Sequence, residues 1–253
     1  MIDTAFKRLI KPLSVTGFFL LSCLAGTVAL AEQPRSTQPV PRTQQFSWMS
    51  LSSWYQRHAD DVALAEQGQA RVVFLGDSIT QDWNHKLWEQ HFAPLGAVNF
   101  AIGGDLTQNM LWRFDHGNVE QLDPQLVVLM AGVNNYLHHK ATPEDTYAGV
   151  KAVLERALNA YPNAQVILQG ILPFGERPNT AERDWVIASN RLIRTLAEDH
   201  SRVSYYDFGE RFLQKDGRIS KEIMGDYLHP SAAGYALWLD ELLPPVKAAL
   251  EQE

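Results

Sequence analysis

A three-layer α/β sandwich built on a parallel sheet is the fold class this sequence predicts, on three observations. Short apolar runs alternate along the chain with longer stretches of helical periodicity. The runs lack polar alternation, as expected of strands covered on both faces. Blocks rich in Gly, Asn and Asp follow several runs directly, at the carboxyl ends of strands, where such sheets bind ligands.

Strands are expected at 72–75, 97–100, 126–130, 165–170 and 203–206, each a short run dominated by apolar, β-branched or aromatic residues. Helices are expected at about 51–67, 84–91, 107–114, 143–160, 181–200 and 232–251. The fourth has the clearest start: Thr142 is a cap candidate, Pro143 fits the first turn, and Glu144 and Asp145 suit its positive end. Internal repeats, heptads and phosphate-loop glycine patterns are absent from the sequence; Gly103-Gly104 alone is too little for a phosphate loop.

At 253 residues and 45% hydrophobic content, one large domain with a real core is expected. The first segment is different in kind. Lys7, Arg8 and Lys11 precede an apolar stretch from Pro12 to Leu30, closed by Ala29-Leu30-Ala31, the charge, apolar core and small-residue site of a secretory signal peptide. Residues 1–31 are therefore set apart as a signal peptide and export to the periplasm or medium is expected. Two other readings stay open. Leu20-Leu21-Ser22-Cys23 loosely resembles a lipoprotein processing site, and the apolar run approaches the length that crosses a bilayer if the leader is retained. Residues 32–46, with Pro34, Pro39 and Pro41 among Ser, Thr and Gln, read as a flexible linker, and 47–253 as the folded domain.

Composition also excludes chemistry. The sole cysteine is Cys23, so a chain cleaved after Ala31 has no thiol nucleophile, disulfide or thiolate metal ligand. Losing residues 1–31 removes Lys7, Arg8, Lys11 and one acid, Asp3, leaving the chain more negative than its formal −7. Such a surface does not attract nucleic acid phosphates. Small or neutral polymeric substrates fit better.

The chemistry-bearing blocks lie at the strand ends. Gly76-Asp77-Ser78-Ile79-Thr80 follows the first strand, with Ser78 at the opening of the next helix, where free N–H groups face an anion. Asp226-Tyr227-Leu228-His229 precedes Pro230 and the last helix, so a turn would let carboxylate and imidazole meet. A carboxylate on one ring nitrogen fixes the tautomer and frees the other to take a serine proton. Asn99-Phe100-Ala101-Ile102-Gly103-Gly104-Asp105 and Ala131-Gly132-Val133-Asn134-Asn135 end the next two strands. The N–H groups of Ser78 and Gly104 with the Asn134 amide would make a three-donor oxyanion hole. A bland reading stands beside each block: Asp77 or Ser78 as a helix cap, Gly and Asn as turn formers, Asp-x-x-His as a surface loop.

In this order and spacing the blocks resemble the SGNH, or GDSL-type, hydrolase superfamily. Its named residues match Ser78, Gly104, Asn134 and His229. The likeness extends to the catalytic subunits of platelet-activating factor acetylhydrolase Ib and their bacterial relatives, through Trp48-Met49-Ser50, Gly103-Gly104-Asp105-Leu106-Thr107, Leu111-Trp112-Arg113, Leu172-Pro173 and Asp216-Gly217. The resemblance implies a flavodoxin-like fold, no metal or other cofactor, and serine esterase chemistry on short acyl groups. Ser78 would be nucleophile, His229 the base and Asp226 its orienter. Relatives form dimers, so a homodimer is expected. Many superfamily members carry Asp where this chain has Asn135; the nearer branch shares Gly-x-Asn-Asn.

Other residues receive the plainer assignment. His138-His139 is read as loop rather than metal pair; Trp88, Trp112, Trp185 and Trp238 as core; Asp77 and Asn99 as braces. The segment 172–179 is expected on the active-site rim as a specificity loop. Rival functions are a carbohydrate deacetylase with the same machinery, a lipid acyl hydrolase, an acyl transferase and a non-catalytic binding protein on the same fold.

Overall fold

Five parallel strands, β1 (Val72–Leu75), β2 (Ala97–Asn99), β3 (Leu126–Leu129), β4 (Gln165–Gln169) and β5 (Val203–Tyr206), form one sheet in the order β2-β1-β3-β4-β5. The structure is a computed structural model, which describes residues 35–117 and 121–251. The central strands β1 and β3, Val-Val-Phe-Leu and Leu-Val-Val-Leu, are buried at every position, because helices cover both faces. The edge strands β2 and β5 are the less buried ones. Register runs Val72 beside Ala97 and Leu126, Leu126 beside Gln165, and Val166 beside Val203.

Eight helices lie among the described residues: α1 (Leu51–Ala65), α2 (Ser78–Gln81), α3 (His85–His91), α4 (Thr107–Asp115), α5 (Val133–His139), α6 (Pro143–Ala160), α7 (Ala181–Thr195) and α8 (Ala232–Leu250). Helices α4, α6 and α7 pack side by side, and α8 packs on β3, β4 and α3. Their starts follow capping chemistry. Side chains of Ser50, Thr142, Thr180 and Ser231 accept first-turn N–H groups of α1, α6, α7 and α8. The three-layer parallel sandwich is as expected. Strand order reverses direction between β1 and β3, so the crevice for a ligand should open at their carboxyl ends.

Three expectations are corrected. Helix α5 was not foreseen, since Gly-Val-Asn-Asn reads as a turn. Helix α7 ends at Thr195, five residues early. The described part of the expected linker is no free tether: Arg35–Thr37 forms a 3-10 turn, and the Ser36 hydroxyl binds the Asp145 backbone carbonyl and carboxylate. Farther on, the Val40 N–H reaches the Gln108 carbonyl at 3.1 Å and the Asn109 amide the Val40 carbonyl at 3.0 Å. Residues 35–46 form an irregular strap across α4 and α6, closed by buried Arg42. An aperiodic sequence cannot by itself distinguish a strap from a tether, because its anchors lie some sixty to a hundred residues away. The expected signal peptide lies outside the described residues. None of the described helices is long and apolar enough to cross a membrane.

Candidate active site

Ser78 opens α2 directly after β1, and the close approach is possible because Gly76 has no side chain. A Cβ there would sit 2.3 Å from the Thr80 hydroxyl and 3.0 Å from the Met130 carbonyl. Asp77 caps α2 through a 3.0 Å bond from the Ile79 N–H, and burial, only partly offset by that bond and by His229, pushes its carboxyl up to about 7. From the far end of the chain, the Tyr235 hydroxyl donates to the Ile79 carbonyl at 2.8 Å, pinning α2 to α8. The Ser78 N–H, as the first of a helix, has no intrahelical acceptor.

His229 reaches Ser78 from the loop before α8: Nε2 lies 2.9 Å from Oγ. Its Nδ1 lies 2.6 Å from Asp226 Oδ2, while Asp226 Oδ1 accepts the Leu228 and His229 N–H groups at 3.0 and 2.8 Å. The turn closes because Tyr227 adopts a left-handed φ of 61°. Burial alone would raise the Asp226 pKa, but the bonds from His229 and Leu228 and the His229 charge outweigh it and hold the carboxylate below its ordinary value.

Gly104 and Asn134 converge on the same cavity, about 500 Å³, that holds Ser78 and His229. Gly104 has φ +75°, and a side chain on it would meet the Trp48 ring at 2.7 Å and the Arg42 guanidinium at 3.0 Å. Asn134, on the first turn of α5, spends one amide hydrogen on the Asp105 carbonyl at 3.1 Å, leaving the other for the cavity. All residues proposed from sequence for nucleophile, base, orienter and oxyanion hole are therefore brought together. This arrangement has the parts to generate an alkoxide-like nucleophile and to stabilise a tetrahedral oxyanion.

The bracing residues behave locally. The Asn99 amide donates to the Thr80 carbonyl at 2.8 Å and its oxygen accepts the Ala101 N–H at 3.0 Å. Asn135 points away from the cavity: its oxygen accepts the Thr107 N–H, and its nitrogen binds the Thr107 hydroxyl and Gln108. Trp185 and Trp238 are core, and Trp88 and Trp112 are half-buried against it.

Two wall residues, and a third residue behind them, were not foreseen in these roles. Trp48 is 57% exposed, its ring stacked on Phe46 at 4.8 Å and 4°. His138 sits on α5 rather than in a loop, 4.9 Å from the Phe46 ring, its pKa lowered by burial and then by His139 and Arg42. Arg42 lies behind the wall. The apolar cluster Phe46, Trp48 and Met49 at the end of the strap was the available signal. Segment 172–179, expected on the rim, does not line this cavity; Leu172 and Phe174 are buried. Another hollow of about 520 Å³, between α7 and the end of β5, holds neither Ser78 nor His229, so the ester chemistry is assigned to the first.

A family model described as the GDSL-like lipase/acylhydrolase family matches residues 74–237. The alpha1 subunit of platelet-activating factor acetylhydrolase IB from Bos taurus is 37% identical over 213 residues, covering 84% of this chain and 87% of its own. Among solved structures, a GDSL-like lipase from Bacteroides thetaiotaomicron superposes with a TM-score of 0.64 at 24% identity, over 77% of this chain and 98% of that one. An acetylxylan esterase from Geobacillus stearothermophilus gives 0.56 at 17% identity, over 69% and 93%. The last two likenesses are of fold.

Proposed function

This chain belongs to the GDSL-like lipase/acylhydrolase family and is a carboxylic ester hydrolase, and from that premise we propose that it is an exported serine esterase removing short acyl groups, acetyl foremost, through an acyl-enzyme. The observation that carries a serine mechanism is the continuous chain from Asp226 Oδ2 through the His229 ring to Ser78 Oγ, at 2.6 and 2.9 Å.

His229 Nε2 takes the Ser78 proton as Oγ attacks the ester carbonyl. The carbonyl oxygen becomes an oxyanion held by the N–H groups of Ser78 and Gly104 and by Asn134. Collapse breaks the bond to the alcohol oxygen, which leaves with the proton from His229. Water then repeats the cycle: His229 takes its proton, hydroxide oxygen attacks the acyl carbon, and Ser78 Oγ leaves with the proton. Asp226 remains a carboxylate throughout and stabilises the imidazolium.

The acetyl preference is supported by the relatives, which are acetylhydrolases by name. Export is supported by the basic, apolar and small-residue sequence of 1–31, with cleavage after Ala31. The test is an assay of purified residues 32–253, wild type and Ser78→Ala, on esters of increasing acyl length. Fast acetate release that disappears with Ser78 and declines beyond about butyryl is the expected result. Activity that survives Ser78→Ala, or rises with chain length by about 0.8 kcal/mol of binding per methylene, would overturn the serine mechanism or the acetyl preference respectively.

A second substrate reading, a polysaccharide deacetylase, is favoured by one feature: the exposed flat face of Trp48 in the cavity wall, with Arg57, Gln81 and Asp82 also lining it. Aromatic rings flanked by polar groups suit a sugar ring. Acetate release from acetylated xylan, compared with aryl acetates and phospholipids, separates the two.

A further inference from the structure

We propose that Arg42, on the strap ahead of α1, is a positioning residue for the oxyanion hole: it clamps the Gly103–Gly104 peptide so that the Gly104 N–H faces the reacting carbonyl. The inference rests on the esterase reading of the Ser78 cavity.

Arg42 Nη2 donates to the Gly103 carbonyl at 2.6 Å. That carbonyl and the Gly104 N–H belong to one peptide unit. In a trans peptide the two point in opposite directions, so fixing the oxygen on the buried side aims the hydrogen at the other side. The other side is the cavity, which both glycines line. Among the described residues no backbone or side-chain acceptor receives the Gly104 N–H, which leaves it for a ligand. Gly104 has no side chain to hold its plane, and its φ of +75° lies in a region that glycine enters and leaves about as readily as the negative-φ regions. An unclamped peptide of this kind would spend part of its time turned away from the oxyanion. A cationic donor on the carbonyl also polarises the peptide and strengthens its N–H as a donor.

The guanidinium is itself held on every side. It is 4% exposed, 3.2 Å from Asp105 Oδ1 and 3.2 Å from Met49 Sδ, and lies over the Phe46 and Trp54 rings at 5.4 and 5.8 Å. Asp105 is fixed in turn by Trp54 Nε1 at 2.6 Å and Arg113 Nη1 at 2.8 Å. The backbone carbonyl of the same Asp105 orients the Asn134 amide. Two of the three oxyanion donors are thus set by one buried cluster. Arg42 is the member that touches the peptide of the first donor. A lysine is not equivalent: Nη2 binds both the Gly103 carbonyl and Asp105, and an ammonium has neither the second nitrogen that reaches Met49 Sδ nor the planar face that lies over Phe46 and Trp54.

The test compares wild type with Arg42→Met, which fills the space without a donor, and Arg42→Lys, which keeps the charge opposite Asp105. For each, kcat and KM are measured on a short acetate ester. Binding of a small alkylboronic acid, whose boron bonds to Ser78 Oγ and places an oxygen in the hole, is measured alongside. Arg42→Met should lose roughly 10- to 100-fold in kcat, short of the loss of a whole donor, with KM little changed. Boronate affinity should fall by a similar factor, and Arg42→Lys should recover only part. The acid limb of the rate–pH profile should not move, because the base is untouched. A general loosening of the fold would lower the melting temperature without this division between kcat and KM. Folded Arg42→Met with wild-type kcat, or a change confined to KM, overturns the clamp. If Arg42→Met does not fold, Arg42→Lys is judged by the same two constants and unchanged values overturn it. Absence of Ser78-dependent hydrolysis in wild type overturns the esterase reading itself, and the clamp with it.

Discussion

The carbonyl of Tyr227 accepts the Gly175 N–H at 2.8 Å, joining the loop after β4 to the turn that carries Asp226 and His229. Tyr227 is one of three non-glycine residues with positive φ among those described, and it stands inside the proposed triad. Loop 172–179 therefore bears on the base through backbone geometry, and exchanging it should alter turnover on every ester rather than preference among them. A sharper probe is Tyr227→Val. A β-branched residue tolerates a φ of 61° poorly, at a cost of about 1–2 kcal/mol. Strain at this place should open the turn, so kcat on a minimal acetate should drop about tenfold as the melting temperature falls. A stability loss with unchanged kcat would mean the turn holds His229 without Tyr227.

Asp226→Asn should be nearly inactive, for a reason visible in the two oxygens. Oδ1 receives two backbone N–H groups, so the amide would keep its oxygen there and turn its NH2 toward His229 Nδ1. That donor selects the tautomer with the proton on Nε2, which cannot accept from Ser78. A loss of roughly 10³-fold or more in kcat with little change in KM is expected, measured on the same acetate. Because the folded Asp226 pKa is below 3.8, the pair's contribution to stability is present above that value and is lost only as pH falls through the lower folded one.

Much of this was legible in the sequence because the decisive signals are local. Val72-Val73-Phe74-Leu75 running into Gly-Asp-Ser announces a buried strand, a close approach and a helix start in seven residues. Asp226 and His229 are three apart, so a single turn joins them. What stayed hidden depends on partners far along the chain. Arg42 is 61 residues from the carbonyl it binds, and nothing in a Pro, Gln and Thr neighbourhood indicates that. Helix α5 starts at a glycine and stops at Lys140 in the left-handed region, a residue type that seldom ends a helix that way. Asn135, where many superfamily members have an acid, is explained by its donors to Thr107 and Gln108, a role an acid could not fill.

That last point predicts the outcome of Asn135→Asp. Two buried donors would be replaced by carboxylate oxygen facing the Gln108 oxygen. The cost should be about 2–4 kcal/mol, read as a lower denaturation midpoint, with kcat per folded molecule changed far less than by Asn134→Ala. An Asn135→Asp protein as stable as wild type would mean that Gln108 turns over to donate.

Stability should also depend on Asp77. Its folded pKa of about 7 is above the ordinary 3.8, so the folded state holds a proton that the unfolded chain has released. Folding is therefore penalised progressively as pH rises from about 4 to about 7, and the penalty is full above that range. Asp77→Asn keeps an oxygen for the Ile79 N–H and removes the titration. Its unfolding free energy should decline less with pH than that of wild type, the difference reaching a few kcal/mol at most. Parallel curves for the two proteins would show that Asp77 ionises without cost.

Trp48 offers the means to decide between simple esters and acetylated sugars. Its ring lies parallel to Phe46, and its edge crowds Gly104, so it has two possible uses: a face for substrate and a wall for the oxyanion turn. Trp48→Ala and Trp48→Phe separate them. Stacking against a sugar ring is worth about 0.5–1.5 kcal/mol by analogy with aromatic pairs, so Trp48→Ala should raise KM for acetylated xylo-oligosaccharides about 3- to 10-fold and leave aryl acetate nearly unchanged. Trp48→Phe should restore most of the loss. If both substrates lose kcat together in Trp48→Ala, the ring serves the Gly104 turn, and the polysaccharide assignment loses its structural support.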